Sequence, residues 1–134
     1  MKRATVAGAA YFAIVFAFAF ATGIGRTLGL EAGLGLSRLQ AVAVEAPAII
    51  AVSFLVCEAL LQRLDIGSGW PERVAMSVTA FALLFAAEVL TGLTFGKSLA
   101  VQFRDLRAAA GLLGLAAQLV FAAMPLLLRR RRVG

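Results

Sequence analysis

The stretch AAAGLLGLAAQLVFAAMPLLL, residues 108–128, carries no charge from end to end. An apolar run of about 18 or more residues is long enough to cross a bilayer as a helix. A second uncharged run fills residues 4–25. The whole chain is 62% apolar and 15% charged, against roughly half and a quarter in a soluble domain. A water-soluble fold of 134 residues has too little interior to hide so many long runs. The pattern predicts an all-α, polytopic membrane protein. It is a bundle of four transmembrane helices, at about 5–25, 39–64, 72–95 and 108–128, forming one membrane domain over 1–134.

Loop signals separate the spans. Gly29, Gly33, Gly35 and Ser37 lie between the first two, and the run from Asp65 to Pro71 lies between the second and third. Pro71 before Glu72 suits a helix start, where its missing N–H has no partner to lose. Trp70 suits an interfacial anchor. Between the third and fourth spans, Gly96 to Arg107 predicts a short interfacial helix. Leu99, Phe103 and Leu106 recur at helical spacing, while Arg104, Asp105 and Arg107 face water. The alternative for that segment is a polar loop.

The formal charge is +6, and Arg129 to Arg132 supply much of it. A basic cluster beside a terminal apolar helix is a topology signal. No aromatic interleaving suited to base stacking accompanies it, so nucleic acid is not an expected partner. One side holds Lys2, Arg3, Arg63, Arg73 and Arg129 to Arg132, eight in all; the other holds Arg26, Arg38, Lys97, Arg104 and Arg107, five in all. The excess places both termini in the cytoplasm. Without the terminal arginines the count is four against five, so dual topology also fits. The start Met1-Lys2-Arg3 imitates a signal peptide, but the apolar run after it exceeds the usual h-region of about 7–15 residues.

Cys57 is the single cysteine, and the chain has no histidine and no asparagine. That excludes an intrachain disulfide, histidine metal and haem ligation, and Ser-His-Asp or Cys-His catalysis. No metal or other cofactor is implied. An enzyme acting on lipids or quinones would have to work with carboxylates and arginines alone.

Three glutamates interrupt the apolar helices: Glu45, Glu58 and Glu88. Glu58 lies near the inner end of the second span beside Gln62 and Arg63, where a side chain can snorkel to the interface. Glu45 and Glu88 lie about six and seven residues below the outer ends of their spans. At about 1.5 Å per residue both sit roughly 10 Å deep. If their helices are neighbours, the two share one site. Arg26, at the outer end of the first span, is the cation nearest in depth and fits either. A buried acid is a functional candidate by default, and a protonated glutamate bonding helices together is the structural alternative. Glu45, Glu88 and Arg26 are therefore the candidate proton or ion site. Ser53, two turns after Glu45, either extends that polar track or bonds its own backbone. Pro47 frees the carbonyl of Ala43 and predicts a kink. Gln118 stands on a small-residue stripe with Gly111, Gly114 and Ala122, first of all a packing face. Gly25, Gly29 and Gly33 form a similar stripe across a loop, or a hinge.

A faint repeat relates Phe12-Ala-Ile-Val-Phe-Ala17 to Phe81-Ala-Leu-Leu-Phe-Ala86, and Thr22-Gly23 to Thr91-Gly92. It fits either a parallel repeat of hairpins or chance in an Ala- and Phe-rich chain.

Several of these residues also carry a resemblance: Phe12-Ala-Ile-Val15 with Phe16 and Phe20, Gly25-Arg26, Glu45-Ala-Pro47, Ser53, Phe81-Ala-Leu-Leu84, Ala87-Glu88, Phe95, Ser98, Ala110-Gly-Leu-Leu-Gly114, Gln118, Phe121 and Pro125 before the basic tail. Across much of its length the chain resembles a group of small four-helix membrane proteins of alphaproteobacteria. It departs from that pattern at Cys57-Glu58-Ala59 and at Lys97, where the group has arginine. The resemblance implies the fold and a place in the bacterial inner membrane, and no activity. Two functions then compete: a proton- or cation-coupled transporter or channel acting as a homo-oligomer, and an accessory or assembly subunit of a larger membrane complex.

Overall fold

The computed structural model describes residues 2–67 and 69–128; Met1, Ser68 and the basic cluster Arg129 to Arg132 lie outside them. Helix α1 spans Lys2–Gly25 and continues as a π-helical segment, Arg26–Glu31. Helices α2 (Arg38–Arg63), α3 (Trp70–Thr94), α4 (Leu99–Arg107) and α5 (Ala109–Leu127) follow. Four of these elements are long and apolar enough to cross a membrane. The chain is an all-α membrane protein built as a four-helix bundle, with α4 a short helix between its third and fourth spans.

Around the bundle, α1 packs on α2 and α3, and α5 packs on α2 and α3. Helices α2 and α3 therefore stand on a diagonal. With short connections, α1 and α3 run parallel, as do α2 and α5. The α1–α3 contact is made by small residues. Ala4, Ala7, Gly8 and Tyr11 recur every three or four positions and are buried, opposite Arg73, Met76, Ser77 and Ala80. In lipid there is no hydrophobic drive between helices, so close backbone approach is what binds them. A Cβ on Gly8 would lie 2.6 Å from the Met76 carbonyl oxygen and 2.9 Å from Thr79 Cβ.

Tyr11, Cys57, Met76 and Phe121 fill the centre of the bundle. The rings of Tyr11 and Phe121 stack with centroids 4.2 Å apart. Pro125 lies inside α5 and has no N–H for the carbonyl four residues back, which is that of Phe121. The Tyr11 hydroxyl donates to that same oxygen at 2.7 Å. One side chain thus satisfies a backbone group that the proline freed. Large apolar residues on the outside, among them Val6, Leu55, Val78 and Leu90, suit a lipid-facing surface.

The helix ends follow local chemistry. Ser37 and Gln40 form a capping box on α2, and the Ser98 hydroxyl accepts the Val101 N–H on α4. Helix α3 starts at Trp70, slightly earlier than Pro71 suggests, with the proline inside its first turn. Helices α2 and α3 both end in paired backbone bonds: Ile66 N–H to Leu61 O with Asp65 N–H to Gln62 O, and Lys97 N–H to Gly92 O with Gly96 N–H to Leu93 O. The left-handed residue is Gly96 at φ 82° in one and Asp65 at φ 51° in the other. A Cβ there costs about 1 kcal/mol. Gly96→Ala is expected to destabilise the bundle by about that much, and Asp65→Gly to stabilise it by up to as much. Thermal unfolding in detergent measures both, and a same-sign change would contradict the assignment.

The expected loop after Gly25 is largely helical. The wider π turn carries the chain on to Glu31, with Ala32 N–H bonded to Thr27 O and Leu34 N–H to Gly29 O. A Cβ on Gly33 would press on the Gly29 carbonyl. This glycine spacing therefore serves a tight local turn and not an interhelical contact. In α5, Gly111 closes on the backbone of Asp105 and Leu106 in α4, whereas Gly114 borders open space. Lys97 and Asp105 pair at 3.1 Å across the α3–α4 turn, and this bond holds the Asp105 carboxyl below the usual carboxylate range.

Candidate functional site

The distal end of the bundle, opposite Lys2 and Leu128, holds a polar cluster that joins the end of α1 to α2. Thr22 and Arg26 are four residues apart and so share one helix face. Both point at α2. The Thr22 hydroxyl donates to Glu45 Oε1 at 2.9 Å, and Arg26 Nη1 donates to Glu45 Oε2 at 2.8 Å. Thr22 also lies 3.0 Å from the Ala19 carbonyl; its single proton is drawn to the charged acceptor. The Glu45 side chain is 7% exposed and that of Arg26 26%. Arg26 Nε is buried and has no acceptor among the described residues. A carboxylate brought alone into hydrocarbon costs about 2.5–3.5 kcal/mol on insertion scales. Here two donors from a neighbouring helix answer both of its oxygens.

Arg26 is also the first residue of the π-helical segment. Such one-turn widenings occur often at functional sites. The ion pair thus stands at the point where α1 changes its winding. Pro47, two residues beyond Glu45, is exposed, and α2 runs on through it.

Glu88 is placed elsewhere. Its carboxylate accepts from Gln118 Nε2 across the α3–α5 contact, and its side chain is exposed on the bundle surface. A site shared by Glu45 and Glu88 needs α2 and α3 side by side, and they are diagonal. Each glutamate has a different helix as its partner. Ser53 is fully buried and donates to the Ile49 carbonyl of its own helix at 2.7 Å.

At the terminal end, Arg73 is 5% exposed and makes three hydrogen bonds to two segments of the chain. Its Nε donates to Gly67 O at 2.7 Å, Nη1 to Pro125 O at 3.1 Å and Nη2 to Ile66 O at 3.4 Å. The cation answers the last carbonyls of α5 and the α2–α3 connection, where the helix dipole is negative. Arg73, Glu58 and Gln62 line a cleft of about 100 Å³ with Leu61, Ile66 and Leu128. Glu58 is half-buried there.

Thr22, Tyr11 and Arg73 are not distinguished as site residues by hydropathy. The signals that point to them are weak but physical. Thr22 stands one turn before Arg26. Arg73 is a cation in the first turn of a helix, where the dipole disfavours it. Tyr11 is the single tyrosine. Among the described residues no group of three or more histidine, cysteine or acidic side chains is arranged to hold a metal. Comparison with protein-family models, with curated proteins and with solved structures finds no match to this chain.

Proposed function

We propose that this chain is a small proton- or cation-coupled transporter or channel, working as a homo-oligomer in a bacterial inner membrane with both termini in the cytoplasm. The observation that carries the reading is the half-buried Thr22–Glu45–Arg26 cluster at the junction of α1 and the π-helical segment. While Glu45 is ionised, Arg26 holds it and the junction is pinned to α2. A proton on Glu45, or a cation at its oxygens, cancels the charge that holds Arg26. The guanidinium then turns toward the water at the distal end, and the π-helical turn is released with it. Loss of the proton restores the pair. Glu45 is the carrier, Arg26 the counter-ion, and Thr22 positions the carboxylate.

The filled interior supports the homo-oligomer. Tyr11, Cys57, Met76 and Phe121 occupy the centre of one bundle, so a path across the membrane calls for more than one copy. The inward bias of lysine and arginine supports the orientation. Flux of protons and of monovalent cations into liposomes holding only the purified chain tests the reading. Glu45→Gln is expected to lower the rate at least tenfold. A rate equal to that of the wild type would remove the proposal and leave the accessory-subunit reading in its place.

A further inference from the structure

Glu88 and Gln118 meet in the groove between α3 and α5, on the outside of the bundle. Gln118 stands midway along the 19-residue α5, so the pair sits within the hydrocarbon. One N–H···O bond joins them. That leaves the second N–H and the carbonyl oxygen of Gln118, and the other oxygen of Glu88. Acyl chains can answer none of these. Gly114, one turn before Gln118, borders open space: a Cβ there would meet nothing within 4 Å. The groove thus combines unfilled hydrogen-bonding capacity with a notch that admits another helix.

We propose that a second copy of this chain fills the groove. The two copies pack their α3–α5 faces together, so that the second N–H of each Gln118 reaches a Glu88 or Gln118 oxygen on the other. The unfilled set contains both donors and acceptors, so it is complementary to itself. A two-fold axis presents the same surface to each partner. The Gly114 notches let the two α5 helices approach closely. The N–H left over in one copy finds its acceptor in the second. This rests on the oligomeric part of the function proposed above and is independent of its ion-coupling part, which the Glu45→Gln flux reads separately.

Single-molecule photobleaching of the full chain, dye-labelled at one position and diluted in lipid vesicles, tests it. Two bleaching steps are expected for the wild type. Glu88→Leu with Gln118→Leu is expected to raise the dissociation constant at least tenfold and give mostly single steps. Gly114→Leu is the control against misfolding, because a Cβ added there meets nothing within 4 Å in its own copy. It too is expected to give single steps. With Cys57→Ala as background, oxidation of Gly114→Cys is expected to yield a crosslinked dimer, and Leu55→Cys on α2 none. Single steps for the wild type, dimers unaffected by Gly114→Leu, or crosslinking through Leu55→Cys would each overturn the proposal.

Discussion

Gly8→Leu is expected to prevent the bundle from closing, at a cost of about 3 kcal/mol or more. The first added atom already lies 2.6 Å from a backbone carbonyl of α3, and only a shift of the whole helix relieves that. Backbone cannot swing aside as a long side chain does. The α1–α3 contact also seats Tyr11, so its loss withdraws the hydroxyl from the Phe121 carbonyl. Gly8→Ala should show a smaller loss of the same kind, about 1–3 kcal/mol. Ala13→Leu, on an exposed face of the same helix, should be close to neutral. Unfolding in mixed detergent micelles ranks the three. Equal stability of Gly8→Leu and Ala13→Leu would mean that α1 and α3 are not in close contact.

Arg73→Leu is expected to be comparably severe, about 3–5 kcal/mol. Three carbonyls, from Ile66, Gly67 and Pro125, lose a charged donor together, and bonds to charged groups are worth about 1.5–3 kcal/mol each. The desolvation relieved by removing the cation offsets part of that sum. Arg73→Lys keeps the charge but not the planar fork. One ammonium cannot span carbonyls on two connections, so roughly half the loss should remain. The same unfolding assay applies. Wild-type stability in Arg73→Leu would show that the clamp contributes nothing.

The spans were readable because bilayer thickness imposes a length, and uncharged runs such as 108–128 have few other uses. Their ends were readable to within a few residues from Ser37, Pro71 and Gly96, whose backbone chemistry is local. The order of the helices around the bundle was not. It depends on which small residues meet, and Gly8 looks no different in sequence from Gly23 or Gly114. Depth along the helix axis can be counted from residue number, and that count makes Arg26 the cation nearest in depth to both glutamates. The azimuth of a helix cannot be counted in that way, because these spans are apolar on every side. The packing of α1 on α2 is what gives Arg26 to Glu45, and the packing of α3 on α5 is what gives Gln118 to Glu88. The π-helical turn was hidden because Gly29 and Gly33 fit a loop as well as a widened helix. Helices α1 and α3, which carry the similar Phe-Ala runs, lie side by side. Thr22 reaches Glu45, while Thr91 bonds its own Ala87 carbonyl.

Infrared difference spectroscopy on proteoliposomes reads proton exchange on Glu45 directly. A proton gradient imposed across the membrane should remove a carboxylate band and add a protonated-carboxyl band, reversibly. Both should be absent in Glu45→Gln and present in Glu88→Gln. Guanidinium bands of Arg26 should shift with them, as its partner is lost. A Glu45 that stays ionised throughout, with Arg26 unchanged, would contradict the account and reduce the cluster to a structural ion pair.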